Sequence, residues 1–234
     1  MSRLNLAIFC ILALIILFLS FFYIQNFRID ASSDTLVAQN DENFEYYKTY
    51  NKLFKSDNFL VLAVKNKYGV DKDFIKNFEL ISNKISKLEP VTQVFSFIDA
   101  PILFLNNTSL SNLNANNIEN LRNSNLDLNK VIKEFTENPV YIDQIINKNA
   151  NVFSIIIYLN ENLELTKAKH NFKNLIISKK EYLDIKNAYD KKRKNLIKNI
   201  REIITEADKK HSYYLGGVEM IASDVINFVK NDII

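Results

Sequence analysis

FLVLAVKNKYGVDKDFIKNFELISNKISKLEPVTQVFSFI, Phe59 to Ile98, is the stretch whose reading decides the fold. Its first part, Phe59 to Lys67, is an apolar run of the kind that forms a buried strand, and Tyr68-Gly69 breaks it. Asp71 then stands where a helix cap belongs. Behind it Phe74, Phe78, Ile81, Ile85 and Leu88 recur at alternating intervals of four and three, which predicts a helix with one apolar stripe. Pro90 follows just past the end of that pattern, and Val91–Ile98 alternates as a strand does until Pro101. The stretch therefore reads as strand, helix, strand.

Moving toward the carboxyl end, Ile102–Ile146 is rich in Asn, with Leu and Ile at irregular intervals. Two short helices are expected in it, near Ala115–Arg122 and Leu128–Thr136, closed by Asn138-Pro139. YIDQIIN (Tyr141–Asn147) and VFSIIIYLN (Val152–Asn160) flank the polar break KNAN and read as a β-hairpin, with Phe153–Leu159 the most strand-like run in the chain. A long helix is expected over Lys180–Lys210, with Tyr182, Ile185, Tyr189, Leu196, Ile200 and Ile203 on one side and its charges in water. Its last turns lead into SYYLGG, a short strand. Setting the insertion aside, the order is strand, helix, strand, strand, helix, strand, which is the split βαβ, or ferredoxin-like, arrangement of an α+β domain. Gly216-Gly217 can leave the last strand with positive φ or admit a close backbone approach. After them Ile221, Val225, Phe228 and Val229 mark one helix face.

Toward the amino end, Phe44, Tyr47, Tyr50 and Phe54 predict an amphipathic helix capped by Asn40 or Asp41. Before it Arg28–Asn43 is polar and acidic without a period. Leu4–Ile24 has no charge, and at about 1.5 Å per residue it spans roughly 30 Å, the thickness of a bilayer core. Tyr23, Arg28 and Arg3 suit the two interfaces. A cleaved signal peptide has a shorter apolar core, and the best cleavage position, near Ala31, has Ile29 where a small residue belongs, so an anchor is expected. The division that results is a membrane helix over 1–28, an α+β domain over 29–217, and a connector over 218–234 leading toward a second membrane helix.

Chemistry is sparse. His170 and His211 stand alone, without metal-ligand spacing, and Cys10 lies inside the apolar segment. No phosphate-binding glycine loop, dinucleotide fingerprint or nucleophile elbow is present. Asp30, Asp34, Asp41 and Glu42 match no cation-loop spacing. Asp190–Lys194, DKKRK, could touch anionic lipid but reads more easily as the exposed face of the long helix, and Asn106-Asn107-Thr108 is a glycosylation triplet in an Asn-rich chain. A net charge of +3 built from interspersed lysines and acids does not suggest a nucleic-acid binder. No catalytic, cofactor or metal residue is assigned, and no enzyme is expected.

Several pieces together resemble the resistance–nodulation–division (RND) superfamily of exporters, in its MMPL-like, hopanoid-associated branch. They are the amino-terminal helix, IDASSDTLV, DENFEYYKTYNKLFKSDNFLVLAV, ENPVYIDQIIN before VFSIIIYLN, and YLGGVEMIASDVINFVKNDI. The resemblance implies a first membrane helix and a first periplasmic porter domain in the bacterial inner membrane. It also implies partners: the bilayer, and the remaining helices and second porter domain of a proton-driven transporter of apolar or lipid-like cargo, or an oligomeric partner. Leu4–Ile24 carries no ionisable residue of the kind that relays protons in such transporters, so this chain is not expected to pump alone. The alternative expectation is a stand-alone, membrane-anchored binding or sensor module outside the cytoplasm.

Overall fold

A computed structural model of the chain describes residues 3–24, 46, 49–50, 58–105, 119–123 and 125–233. The elements in order are α1 (Arg3–Ile24), β1 (Asn58–Lys65), α2 (Lys72–Ile85), β2 (Val91–Ser96), α3 (Leu128–Glu137), β3 (Val152–Leu159), α4 (Leu163–Lys173), α5 (Lys179–Glu206), β4 (Ser212–Gly216) and α6 (Val218–Ile233). The four strands form one antiparallel sheet in the order β2-β3-β1-β4. The protein is α+β, and this strand order with helices crossing after β1 and after β3 is the split βαβ arrangement read from the sequence.

Alternation along the strands sorts the two faces of the sheet. Leu60, Leu62 and Val64 of β1 oppose Ile157, Ile155 and Phe153 of β3, and all six are buried. Against this face pack Phe74, Phe78, Ile81 and Ile85 of α2 and Leu196 and Ile200 of α5. Phe97 joins from the loop after β2, its ring centroid 4.7 Å from Phe153 and 4.9 Å from Phe78. Asp71 caps α2 as expected, accepting the Phe74 N–H at 2.7 Å.

Local side chains set the strand ends. β1 stops two residues before the expected Lys67, because the buried Asn66 turns the chain: its Oδ1 accepts the Tyr68 N–H, and its Nδ2 donates to the Gly69 carbonyl. β2 stops at Ser96 rather than Ile98, because the Asp99 carboxylate accepts both the Ser96 N–H (3.0 Å) and its hydroxyl (2.7 Å).

The insertion carries α3 where a helix is expected. For the helix expected over Ala115–Arg122, residues 115–118 lie outside the described residues and 119–122 are not helical. The expected hairpin is corrected. Tyr141–Ile146 is a compact pair of turns with isolated bridges, not a strand, because the backbone of Asp143 is left-handed (φ 60°) and the Tyr141 carbonyl accepts the Ile145 N–H at 3.0 Å. Beyond it the Asn147 side chain takes the N–H groups of Asn151 and Val152 and starts β3.

The long helix α5 starts on the Ser178 cap and ends at Glu206, four residues short of Lys210, where Asp208 takes the Lys210 N–H in a turn. The sequence reading did not find α4. Its apolar pattern is weak and Ala168 is its only buried residue, but Phe172 stacks on Tyr182 of α5 at 4.9 Å. Of the expected aromatic helix over Phe44–Phe54 only residues 46, 49 and 50 are described; all three are helical, and Tyr46 and Tyr50 are exposed.

Candidate functional site

Three surfaces have features that the core does not require. The first is α1. Its side chains from Ile8 to Leu19 include ten large apolar groups at least half exposed, from Leu19 at 50% to Phe18 at 67%. Among the residues with described side chains, no helix is long and apolar enough to cross a membrane.

The second is the face of the sheet opposite the core. Register places Phe59, Val61 and Ala63 of β1 beside Tyr158, Ile156 and Ser154 of β3, with Phe95 and Gln93 of β2 on one flank and Tyr214 of β4 on the other. Phe59 and Tyr214 are 49% and 60% exposed, and Phe59 leans on Tyr158 at 6.5 Å. At the β2 edge this face opens into a shallow hollow of about 490 Å³ lined by Thr92, Gln93, Phe95, Tyr158, Asn160 and Glu161. It has one acid, two amides and two aromatic rings.

The third is the junction of α5 and α6. The sequence reading of Asp190–Lys194 as an exposed face is corrected here at Arg193, whose side chain is only 8% exposed. One terminal guanidinium nitrogen donates to Asp190 (2.9 Å) and the other terminal nitrogen to Glu219 of α6 (3.2 Å). Tyr189 donates its hydroxyl to the second Glu219 oxygen at 3.0 Å. Burial first, then the Glu219 charge and its hydrogen bond, hold the Tyr189 phenol well above its usual range, with Arg193 opposing. Farther along, Arg201 grips both oxygens of Asp224. Higher numbers on α5 pair with higher numbers on α6, so α6 doubles back from β4 and runs along α5 in the same direction. Gly217 makes that reversal with φ 130°, and a Cβ there would lie 2.9 Å from Leu60 Cδ2 and 3.1 Å from the Phe59 carbonyl.

A signal for Arg193 was present in the sequence. The stripe Ile185, Tyr189, Leu196, Ile200 has a vacancy one turn after Tyr189, and Arg193 fills it. Glu134 was missed in the same way, lying among Val131 and Phe135 on the buried side of α3. Its carboxylate accepts three successive backbone N–H groups, of Leu103, Phe104 and Leu105, at 2.7, 3.1 and 3.0 Å.

Of the residues weighed for chemistry, the two described histidines stand on separate elements. His170 is exposed on α4 beside Asn174, while His211 follows α5 and abuts Phe74 at 5.0 Å. Asp30, Asp34, Asp41 and Glu42 lie outside the described residues, as do Asn106, Asn107 and Thr108. Among the described residues no cluster of His, Cys, Asp or Glu is placed to hold a metal ion. No protein-family model matches the chain, and no curated protein matches it.

Proposed function

We propose that this chain is the membrane-anchored, non-enzymatic porter-type domain of an RND/MMPL-type exporter, on the periplasmic side of a bacterial inner membrane. The observation that carries the reading is α1: a 22-residue helix with no charge after Arg3, preceding a split βαβ domain in the sequence. At about 1.5 Å per residue it is about 33 Å long, enough for a bilayer core. In water its apolar side chains would favour association, whereas in lipid each favours insertion by roughly 0.3–0.6 kcal/mol at the helix centre. The open sheet face, with Phe59, Tyr158 and Tyr214, is the surface on which a second porter domain would pack, and transport of apolar or lipid-like cargo would require that partner and further membrane helices.

A second reading, a stand-alone anchored binding module, draws on a different observation. α6 returns along α5 through Arg193–Glu219 and Arg201–Asp224, as the closing helix of a self-contained domain does. Two measurements test these possibilities, and the second separates them. Alkaline carbonate extraction of cells expressing the full chain should leave it in the membrane pellet; release into the supernatant would end both anchored readings. A photocrosslinker at Tyr214, introduced at the native locus, should then capture a polytopic membrane protein with an acidic residue inside a span. Crosslinks that form only between copies of this chain would favour the stand-alone module.

A further inference from the structure

The groove between α5 and α6 is an open hollow of about 300 Å³, with Lys194, Lys198, Arg201 and Glu202 of α5 on one wall and Ser223 and Asn227 of α6 on the other. The three cations sit at i, i+4 and i+7, and the two neutral donors at i and i+4, so each set lines one side of the same groove. Ser223 is 6% exposed. A buried helical serine ordinarily donates to the carbonyl one turn back. Ser82 does so to Phe78 at 2.9 Å, and Thr205 does so to Arg201 at 2.8 Å. Ser223 does not: neither its hydroxyl nor the Asn227 side-chain amide makes a hydrogen bond among the described residues. Lys194 has no ion pair among them either, and Arg201 uses one guanidinium nitrogen on Asp224, leaving its other donors unengaged. Two carboxylates oppose these cations, Glu202 within the lining at 3.6 Å from Lys198 and Asp224 on Arg201. Three cations against two acids leave the groove positive, with idle hydroxyl and amide donors.

From this arrangement we infer that the α5–α6 groove binds a phosphate-type oxyanion, either a free phosphate or the phosphate of an anionic lipid headgroup. Clustered donors with excess positive charge suit a tetrahedral oxyanion, because charge-assisted hydrogen bonds are the strong ones and lysine serves as a point charge for phosphate. The inference is independent of the exporter reading, since it uses only the packing of α6 on α5.

The test uses the full chain in phosphate-free dodecylmaltoside micelles at fixed ionic strength. Inorganic phosphate replaces chloride in one arm, and phosphatidylglycerol is titrated into the micelles in the other. A ligand at ten times its Kd should raise Tm by roughly 3–6 °C for a domain of this size. A rise with inorganic phosphate identifies the free anion; a rise only with phosphatidylglycerol identifies the headgroup. Lys194→Gln/Lys198→Gln and, separately, Ser223→Ala should cut the rise at least by half while keeping a cooperative melt. Lys130→Gln/Lys148→Gln removes the same charge outside the groove and should leave the rise intact. No rise in either arm, or an equal loss in the control pair, overturns the assignment.

Discussion

Single residues hold this fold at points where no substitute fits. Gly217 is one, because its φ of 130° and the approach of Leu60 and Phe59 leave no room for a Cβ. Gly217→Ala should cost about 2–4 kcal/mol, combining backbone strain with overpacking against groups that cannot yield. Gly216 is the internal control: a Cβ there meets only the Val61 carbonyl at 3.9 Å, so Gly216→Ala should be neutral or stabilise by up to about 1 kcal/mol. Urea midpoints of the two variants decide the matter, and equal midpoints would refute the steric argument. Glu134 is the second such point. Three N–H groups converge on its carboxylate, and in Glu134→Gln an amide nitrogen would face one of those donors. A loss of about 1.5–3 kcal/mol is expected, with faster amide exchange at Leu103–Leu105. Unchanged exchange there would show that the carboxylate does not hold the loop.

At the scale of elements, the α5–α6 contact depends on a buried charge cluster rather than on apolar packing alone. Removing one member of such a cluster strands the other, which is costly, while removing both is not. Arg193→Met should therefore cost about 3–5 kcal/mol, since Glu219 is left with the Tyr189 hydroxyl as its only described side-chain partner. The double variant Arg193→Met/Glu219→Gln should recover more than half of that loss. A double-mutant cycle in denaturant measures the coupling, and additivity within about 0.5 kcal/mol would mean that the ion pair does not tie the helices. This contact also marks a limit of reading by pattern. Periodicity found α2 because its stripe is wholly apolar, and it found α5 to within four residues at its end. It assigned Arg193 to water because a charged residue in an apolar stripe is invisible until its partner on another element is known. The short α4 escaped for a related reason: it is held mainly by a stack of Phe172 on Tyr182, and its own stripe is faint.

Over the whole molecule, the strand order was legible because β1, α2 and β2 announce their periods, and two apolar stripes on one sheet face admit few topologies. The turns at Tyr141–Ile146 were not, because apolar residues there fill the core from irregular backbone, as Ile145 and Ile146 do. The groove between α5 and α6 was illegible for the same physical reason as Arg193, since it exists only after two distant helices pack. One property integrates the entire fold: its response to alkaline pH. Tyr141, Tyr189 and Tyr213, from the insertion, α5 and β4, all have phenols held above their usual range, in each case chiefly by burial, with Tyr141 pushed up to about 12. A phenol in the unfolded chain ionises near pH 10. Between about pH 10 and 12 the folded state therefore binds more protons than the unfolded one, and stability must fall as pH rises. The contribution is complete below pH 10 and is lost as pH climbs through the folded values. Tyr141→Phe forfeits the 2.7 Å bond to the Pro101 carbonyl, so at pH 8 it should be less stable than the parent by about 1 kcal/mol. Having no phenol to ionise at that site, it should lose less stability above pH 10, so the gap should close near about pH 11 and reverse by about pH 12. Urea midpoints measured from pH 8 to 12, with tyrosinate absorbance recorded alongside, provide the check; a gap that stays constant with pH would show that Tyr141 ionises alike in both states.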